Sequence, residues 1–177
     1  NRGDKRKFIS IEIDLDNEEE FIKFNDQENF INLLQETGLW NSFRTRPFNR
    51  TPAISDIPKG IFINCCDTNP LSVDPYEIIK YDQDLFDLGL EILVKKFECD
   101  IYVNYQNDKF EKNNKSVTYT QFSGPHPAGL SSTHISQLCP VNLNKIVWTI
   151  GYQDIISIGH LMQYKTLRTS KIIAIGG

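Results

Sequence analysis

The run GIFINCC, residues 60–66, is the feature that most constrains the fold of this chain. It is apolar almost throughout over the length of a strand, whereas a strand with one solvated face alternates apolar and polar residues. Strands covered on both faces are typical of parallel sheets, because the crossover connections of such sheets place helices on both sides. The run therefore predicts a buried central strand.

Strand and helix patterns alternate along the rest of the chain. Asp74 followed by Pro75 marks a helix start, and apolar residues at helical spacing carry this helix to about Phe97. Further strands are predicted over 8–15, 101–105, 117–122, 145–152 and 171–175, and further helices over 28–37 and 153–162. This order predicts an α/β fold, a mostly parallel sheet flanked by helices.

Composition narrows the class of protein. The 177 residues suit one domain, and a net charge of -4 disfavours a protein that coats nucleic acid. No run approaches the roughly 18 apolar residues of a spanning helix. The four cysteines lack CxxC spacing and predict buried, reduced thiols of a cytosolic protein. The chain begins without methionine and ends in a strand pattern, so we expect a piece of a longer protein.

The segment FSGPHPAGLSSTH, residues 122–134, carries two of the three histidines, His126 and His134. A metal site would need a third ligand, and no HxH, HxxxH or HExxH spacing occurs. A nucleophile–base pair of Ser131 or Ser132 with a histidine lacks the GxSxG elbow. The proline and glycine content favours a close-packed backbone junction whose histidines hydrogen-bond nearby backbone.

A basic-aromatic stretch, GLWNSFRTRPFNR, occupies residues 38–50. Its cations and rings interleave, and they are Trp40, Phe43, Arg44, Arg46, Phe48 and Arg50. Such a stretch could hold an anion or stack a flat ring, or it could be a loop anchored by its aromatics while the arginines stay solvated. The sequence leaves both interpretations open.

A third candidate, CCDTNPLSVDP, follows the central strand over residues 65–75. Open α/β sheets place ligands at the carboxyl ends of their strands, so Asp67 and Asn69 could bind a polar group. An Asx turn that leads into the next helix explains the same residues. Phosphate binding needs a glycine-rich backbone, and no glycine lies between Gly38 and Gly60. A bound nucleotide is therefore disfavoured.

Five blocks together resemble one known family. They are TGLWNSFRTRPF (37–48), IFINCCDTNPLSVDP (61–75), FSGPHPAGLSSTHI (122–135), NKIVWTIGYQDIISIG (144–159) and KIIAIGG (171–177). Their order and spacing resemble the NqrA subunit of the sodium-translocating NADH:quinone reductase. Members carry a lipoyl-type region before this segment and a β-grasp-type region after it. The resemblance implies that residues 1–177 are the central α/β domain, with 1–20 as a connecting strand segment and 171–177 as the start of the next link.

The resemblance also implies a Rossmann-like fold similar to the flavin-binding subunit of respiratory complex I. Where that relative has a glycine-rich stretch, this chain has bulky residues, which are Trp40, Phe43, Arg44, Arg46 and Pro47. A lost cofactor is the expectation that follows. Ser131, Ser132 and Ser136 depart from the usual family pattern, and the last replaces a second histidine.

For function, the resemblance implies a peripheral, non-redox subunit on the cytoplasmic side of the bacterial inner membrane. Its expected partners are the other subunits, above all the membrane-embedded one with the quinone site. We expect no catalytic centre, cofactor or metal in this segment, with NADH and flavins on other subunits and ubiquinone as substrate of the complex. If the segment holds quinone, the predicted residues are Arg44, Arg46 and Phe48, with His126 and His134 as hydrogen-bond donors.

Two other classes of function stay open. One is a flavin- or nucleotide-binding oxidoreductase domain of the complex I type, which would be yellow when purified. The other is a stand-alone metal-dependent hydrolase built on the histidines, which would carry stoichiometric zinc.

Overall fold

A computed structural model describes Asp14 and residues 29–175. The strand predicted over 8–15 and the connecting segment 1–20 lie outside the described residues apart from Asp14, as do the last two glycines. The helices are α1 (Phe30–Glu36), α2 (Pro75–Ile79), α3 (Gln83–Lys96), α4 (Ser131–Leu138) and α5 (Tyr152–Tyr164). The strands are β1 (Arg44–Arg46), β2 (Gly60–Cys65), β3 (Asp100–Tyr105), β4 (Thr118–Gln121) and β5 (Val147–Gly151).

The described strands form one five-stranded sheet in the order β1-β5-β2-β3-β4. β5, β2, β3 and β4 are mutually parallel, and only β1 runs antiparallel, paired with β5 at one edge. The predicted α/β class, a mostly parallel sheet flanked by helices, is confirmed. The central strand prediction is confirmed too, since β2 lies between two parallel neighbours.

Helices cover both faces of the sheet. The larger core joins α1, α3 and α5 to the inward side chains of β2, β3 and β5, such as Ile61, Val103 and Trp148. The opposite face packs Phe62 and Val147 against Ile135 and Cys139 of α4 and its C-terminal end. Residues that alternate along a strand point to opposite faces, which explains why Ile61 and Phe62 belong to different clusters.

Helices α3 and α5 approach each other closely through two glycines. A methyl group on Gly159 would collide with the backbone carbonyl oxygen of Leu85, and one on Gly89 would collide with that of Ile155. The absence of a side chain at these two positions is therefore what permits the observed separation of the helices.

Two sequence predictions of single elements need correction. The helix predicted from Asp74 to Phe97 is two helices, because Asp82 leaves helical geometry (φ -126°, ψ 29°) and its carboxylate pairs with Arg168 at 2.9 Å. The segment 171–175, predicted as a buried strand, is not a strand and is exposed, with Ile173 at 75%. The Gln153 side chain accepts a hydrogen bond from the N–H of Ile172 and donates one to its carbonyl oxygen. These are the backbone groups that a neighbouring strand would otherwise pair with.

Two elements were not predicted. β1 lies inside the stretch interpreted as a loop, and its sequence Arg-Thr-Arg carries no apolar pattern because the pairing uses backbone groups. α4 lies inside the predicted junction, where Ser, Thr and His dominate and only Ile135 and Leu138 supply an apolar stripe. In the described part of the chain, none of the helices is both long and apolar enough to cross a membrane.

Candidate functional site

The carboxyl ends of β2 and β5 border a cleft at the point where the chain changes direction across the sheet. β2 connects to β3 through α2 and α3 on one face, whereas β4 connects to β5 through α4 on the other. Open α/β sheets bind ligands at such switch points. The cleft here has a volume of about 340 Å³, and we call it the switch-point cleft. Its lining includes Arg44, Asn64, Cys66, Asp67, Asn69, Ser131, Thr149 and Tyr152.

The loop after β2 is organised by its own side chains. Asp67 Oδ1 accepts hydrogen bonds from the backbone N–H of Asn69 at 2.9 Å and from its Nδ2 at 2.7 Å. Asp74 Oδ1 caps α2 by accepting from Tyr76 N–H at 2.9 Å. This is the Asx-turn geometry that the sequence offered as the alternative to ligand binding. One Asp67 oxygen is therefore already used by the protein.

Cys66 lies in the same cleft but is not an activated nucleophile. Burial, reinforced by the negative charge of Asp74, raises the pKa of its thiol to about 12. A thiol rather than a thiolate is therefore present at neutral pH, and only the thiolate attacks. All four cysteines are free, as predicted, but only three of them are buried, because Cys99 is half-buried.

The segment 122–134 packs closely against the loop after β2. Gly129 N–H donates to the Thr68 hydroxyl at 3.1 Å, and Thr68 also lies 3.2 Å from His126 Nδ1. On β2, the Asn64 side chain also donates from Nδ2 to the Gly129 carbonyl oxygen, at 2.9 Å. A Cβ on Gly129 would stand 2.7 Å from the Thr68 nitrogen, so the two backbones touch. The predicted close packing is confirmed. The predicted bonds of the histidines to backbone hold for His134, whereas His126 lies against the Thr68 hydroxyl.

His134 is fully buried on α4 rather than exposed in a loop. Its Nε2 lies 2.8 Å from the carbonyl oxygen of Ala128, and its ring centroid lies 4.1 Å from that of Phe122. Burial lowers the pKa of the imidazole, although the bond to Ala128 opposes the shift. The ring is therefore neutral at pH 7.

The basic-aromatic stretch divides between the core and the surface. Trp40 and Phe43 are buried and contact Trp148 at centroid distances of 5.5 and 5.6 Å. Phe48, by contrast, is 51% exposed and has the Arg50 guanidinium 5.9 Å from its ring centre. The interpretation of this stretch as a segment anchored by its aromatic side chains therefore holds for Trp40 and Phe43 but not for Phe48.

Arg44 and Arg46 share one face of β1 but line different clefts. Arg44 donates to the Thr51 hydroxyl at 2.6 Å and borders the switch-point cleft. Arg46 borders a second cleft, of about 340 Å³, which we call the β1–α4 groove. Its lining is Arg46, Pro47, Ser132, Ile135, Ser136, Pro140 and Val141. The five predicted quinone-binding side chains therefore fall into an arginine group at β1 and a histidine group beside Thr68 and Phe122.

Sequence reasoning missed several polar residues that the fold brings together here. Thr68 joins two loops, and Asn64 and Asn104 stand side by side on β2 and β3. The visible clue was an asparagine inside each of two otherwise apolar strand patterns. Among residues 14 and 29–175, no group of three or more His, Cys, Asp or Glu side chains is arranged to hold a metal ion.

Comparison with known proteins identifies relatives over the whole chain. The family model for the NqrA second alpha/beta domain matches residues 25–167. The NqrA subunit of the Na(+)-translocating NADH-quinone reductase of Photorhabdus laumondii is 41% identical over 189 residues, covering 100% of this chain and 42% of that protein. The same subunits of Rhodopirellula baltica and Neisseria gonorrhoeae are 40% and 41% identical, over 99% of this chain and 41% and 42% of theirs. The chain thus spans about two-fifths of the length of these relatives.

Proposed function

The chain belongs to the family of NqrA second α/β domains, and from that membership we propose that it forms the central domain of the NqrA subunit of a sodium-translocating NADH-quinone reductase. The observation that carries this proposal is the match over residues 25–167 together with 41% identity across the whole chain. Residues 1–20 would connect it to a preceding domain and 171–177 to a following one. The exposed isoleucines at 172, 173 and 175 support the latter, since contact with a further domain would bury them.

In this proposal the domain is a peripheral, non-redox part of the translocase, on the cytoplasmic side of the inner membrane, and contributes to assembly. NADH and flavins would bind other subunits, and the partner would be the membrane-embedded subunit that holds the quinone site. The chemistry of the switch-point cleft supports the absence of thiolate chemistry in this segment. Its thiol is protonated, and its Asp67 carboxylate is engaged in a turn.

A Rossmann-like relationship to the flavin-binding subunit of complex I, with the cofactor lost, is part of the same proposal. The change of direction between β2 and β5 supports it. So does the segment before β2, where Trp40 and Phe43 fill the core. Phosphate binding requires a backbone without bulky side chains, and these residues do not provide one.

The test of the assembly role uses the native protein, tagged in its source cells and solubilised with mild detergent from membranes. We expect it to co-purify with membrane-embedded subunits and with NADH:quinone reductase activity that depends on sodium. Recovery of the protein from the membrane-free extract, alone and yellow with bound flavin, would instead support the oxidoreductase alternative.

For quinone we propose the β1–α4 groove as the binding place, with Arg46 as the donor to a carbonyl oxygen. Arg46 lines this groove, and a guanidinium carries only hydrogen-bond donors, so it can donate to a carbonyl oxygen placed there. Pro47, Ile135 and Val141 supply apolar surface for the ring. Arg44 and Phe48 flank the groove along the chain, and His126 stays a predicted donor on the other side of the junction. His134, the other predicted donor, could donate to quinone only by giving up its bond to the Ala128 carbonyl.

Photolabelling of the intact complex with an azido-ubiquinone tests this placement. Label is expected on peptides containing Pro47 or Pro140, and Arg46→Leu is expected to reduce it several-fold. Lys59→Leu, an exposed cation at the amino end of β2, is the matched control and should leave labelling unchanged. Label confined to other subunits would refute a quinone site here while leaving the assembly role intact.

A further inference from the structure

Asn104 on β3 is an unusual residue for the middle of a covered sheet. Its side chain is fully buried, and both Nδ2 and Oδ1 lack a hydrogen-bond partner among the described residues. Its neighbour in register, Asn64 on β2, has both atoms engaged, with the Gly129 carbonyl and with Cys66 N–H. Leaving a buried polar group unpaired is costly, so such groups usually have a partner.

His134 presents a third such atom. Its Nε2 donates to the Ala128 carbonyl, so the proton of the neutral ring is on Nε2 and Nδ1 is an acceptor. Nδ1 is buried and, within the described part of the chain, also lacks a partner. The three unpaired atoms are therefore one donor group and two acceptors.

Strand register places Asn104 and His134 on the same side of the sheet. Asn104 faces the α4 side of the sheet, as does Tyr102 two residues before it, which packs against the cluster around Ile135. On β4, Thr120 is in register with Asn104. The ring of His134 lies on Phe122, two residues beyond Thr120 on the same face. Asn104 thus lies between Asn64, which bonds to Gly129, and the strand whose end contacts His134.

We propose that Asn104 and His134 form an internal binding site for one water molecule that joins β3 to α4. Water has two protons to donate, which match Asn104 Oδ1 and His134 Nδ1, and its lone pairs can accept from Asn104 Nδ2. A metal or ammonium cation offers no acceptor to Nδ2, and an alcohol has only one proton to donate. Buried waters typically make about three hydrogen bonds to groups of this kind.

The site explains why the junction over residues 122–134 can be close-packed with a polar interior. Bonds from Asn64 and Thr68 hold one end of the junction, and the bound water holds the α4 end. The role is positional, because none of the three atoms faces either cleft described above.

Water-selective NMR on the unsubstituted protein is the direct test. We expect a cross-peak of the long-lived, protein-bound type between water and the Nδ2 protons of Asn104, and an Nδ1 nitrogen shift of His134 typical of a hydrogen-bonded acceptor. A cross-peak that is missing, or a direct scalar coupling between Asn104 Nδ2 and His134 Nδ1, would overturn the proposal.

A double-mutant cycle gives an independent readout. Asn104→Leu and His134→Phe each remove one side of the site, so their combined effect on the unfolding constant should differ from the product of the single effects by about threefold or more. Asn104→Leu with Ser157→Ala is the control, because Ser157 lies on α5 and bonds to Gln153, and its effects should multiply. Simple multiplication in the first pair would show that the two residues share no partner.

Discussion

At the scale of single residues, polar side chains at the carboxyl edge of the sheet hold backbone rather than present reactive groups. Asn64, Thr68 and His134 each bond to a carbonyl or N–H of the segment that leads into α4. His134, one of the two histidines weighed as a catalytic or ligating group in the sequence, is buried and neutral. Its chemistry matters for stability, and this has a pH signature.

Stability should fall as pH drops below about 6.5 because of His134. Burial lowers its folded-state pKa from the ordinary value of 6.5, so the unfolded chain binds the proton first, and protonation favours unfolding. The contribution is fully present above pH 6.5 and is lost as pH falls toward the folded-state pKa. Urea titrations at several pH values between 5 and 8 measure the free energy of unfolding. Its dependence on pH should be weaker in His134→Phe than in the unsubstituted protein. An equal dependence in both proteins would contradict the prediction.

The Thr68 hydroxyl should contribute measurably to the junction. Thr68→Val keeps the shape of the side chain but leaves Gly129 N–H without its acceptor, which typically costs about 1–3 kcal/mol. Urea denaturation measures the loss. Thr118→Val, on the exposed start of β4, is the matched control and should change stability by no more than about 0.5 kcal/mol.

At the scale of elements, the α3–α5 contact depends on two residues that lack a side chain. Gly89 and Gly159 let the backbones approach until a Cβ would overlap a carbonyl oxygen of the facing helix. Glycine within a helix costs about 1 kcal/mol relative to alanine, so the close crossing must offset that cost through packing. α3 and α5 then present Leu90, Leu93 and Ile158 to the same core.

Gly159→Ala should therefore destabilise the protein despite the better helix propensity of alanine. The Leu85 carbonyl cannot move without shifting α3, and forced repacking of this kind costs about 1–3 kcal/mol. The midpoint of urea unfolding is the measurement. Gly151→Ala is the control, because its Cβ would meet only the end of the Asp154 side chain. A more stable Gly159→Ala protein would show that the helices separate freely.

At the scale of the whole molecule, one aromatic cluster joins the segment before β2 to the sheet and to the end of α3. Trp148 of β5 contacts Trp40, Phe43 and Phe97, each with ring centroids 5.5 to 5.6 Å away. The stretch that the sequence offered as an anion or ring site therefore supplies much of its apolar surface to the core. Residues 38–46 should unfold together with the sheet and not as a separate loop.

Tryptophan fluorescence and circular dichroism should accordingly report a single unfolding transition. The chain has two tryptophans, and both are buried in this cluster. Their emission should shift to the red at the same urea concentration at which helical signal is lost. Trp40→Phe provides the control, since Trp148 alone should then report the same midpoint as circular dichroism of that variant. Two separated midpoints would indicate that the segment before β2 opens independently.

Local patterns along the sequence were enough to determine the α/β class, the central strand 60–66, the helix start at Asp74 and the close packing over 122–134. These depend on residues a few positions apart, through periodicity, proline and glycine geometry and side-chain caps. Only the tertiary structure decided the antiparallel β1, the helix α4, the break at Asp82 and the exposure of 171–175. Each of these depends on a partner far away in the chain: β5 for β1, the sheet face for α4, Arg168 for Asp82 and Gln153 for Ile172. Arg44 and Arg46 line different clefts for the same reason. Ser131 of α4 borders the cleft that Arg44 lines, and Ser132 borders the one that Arg46 lines.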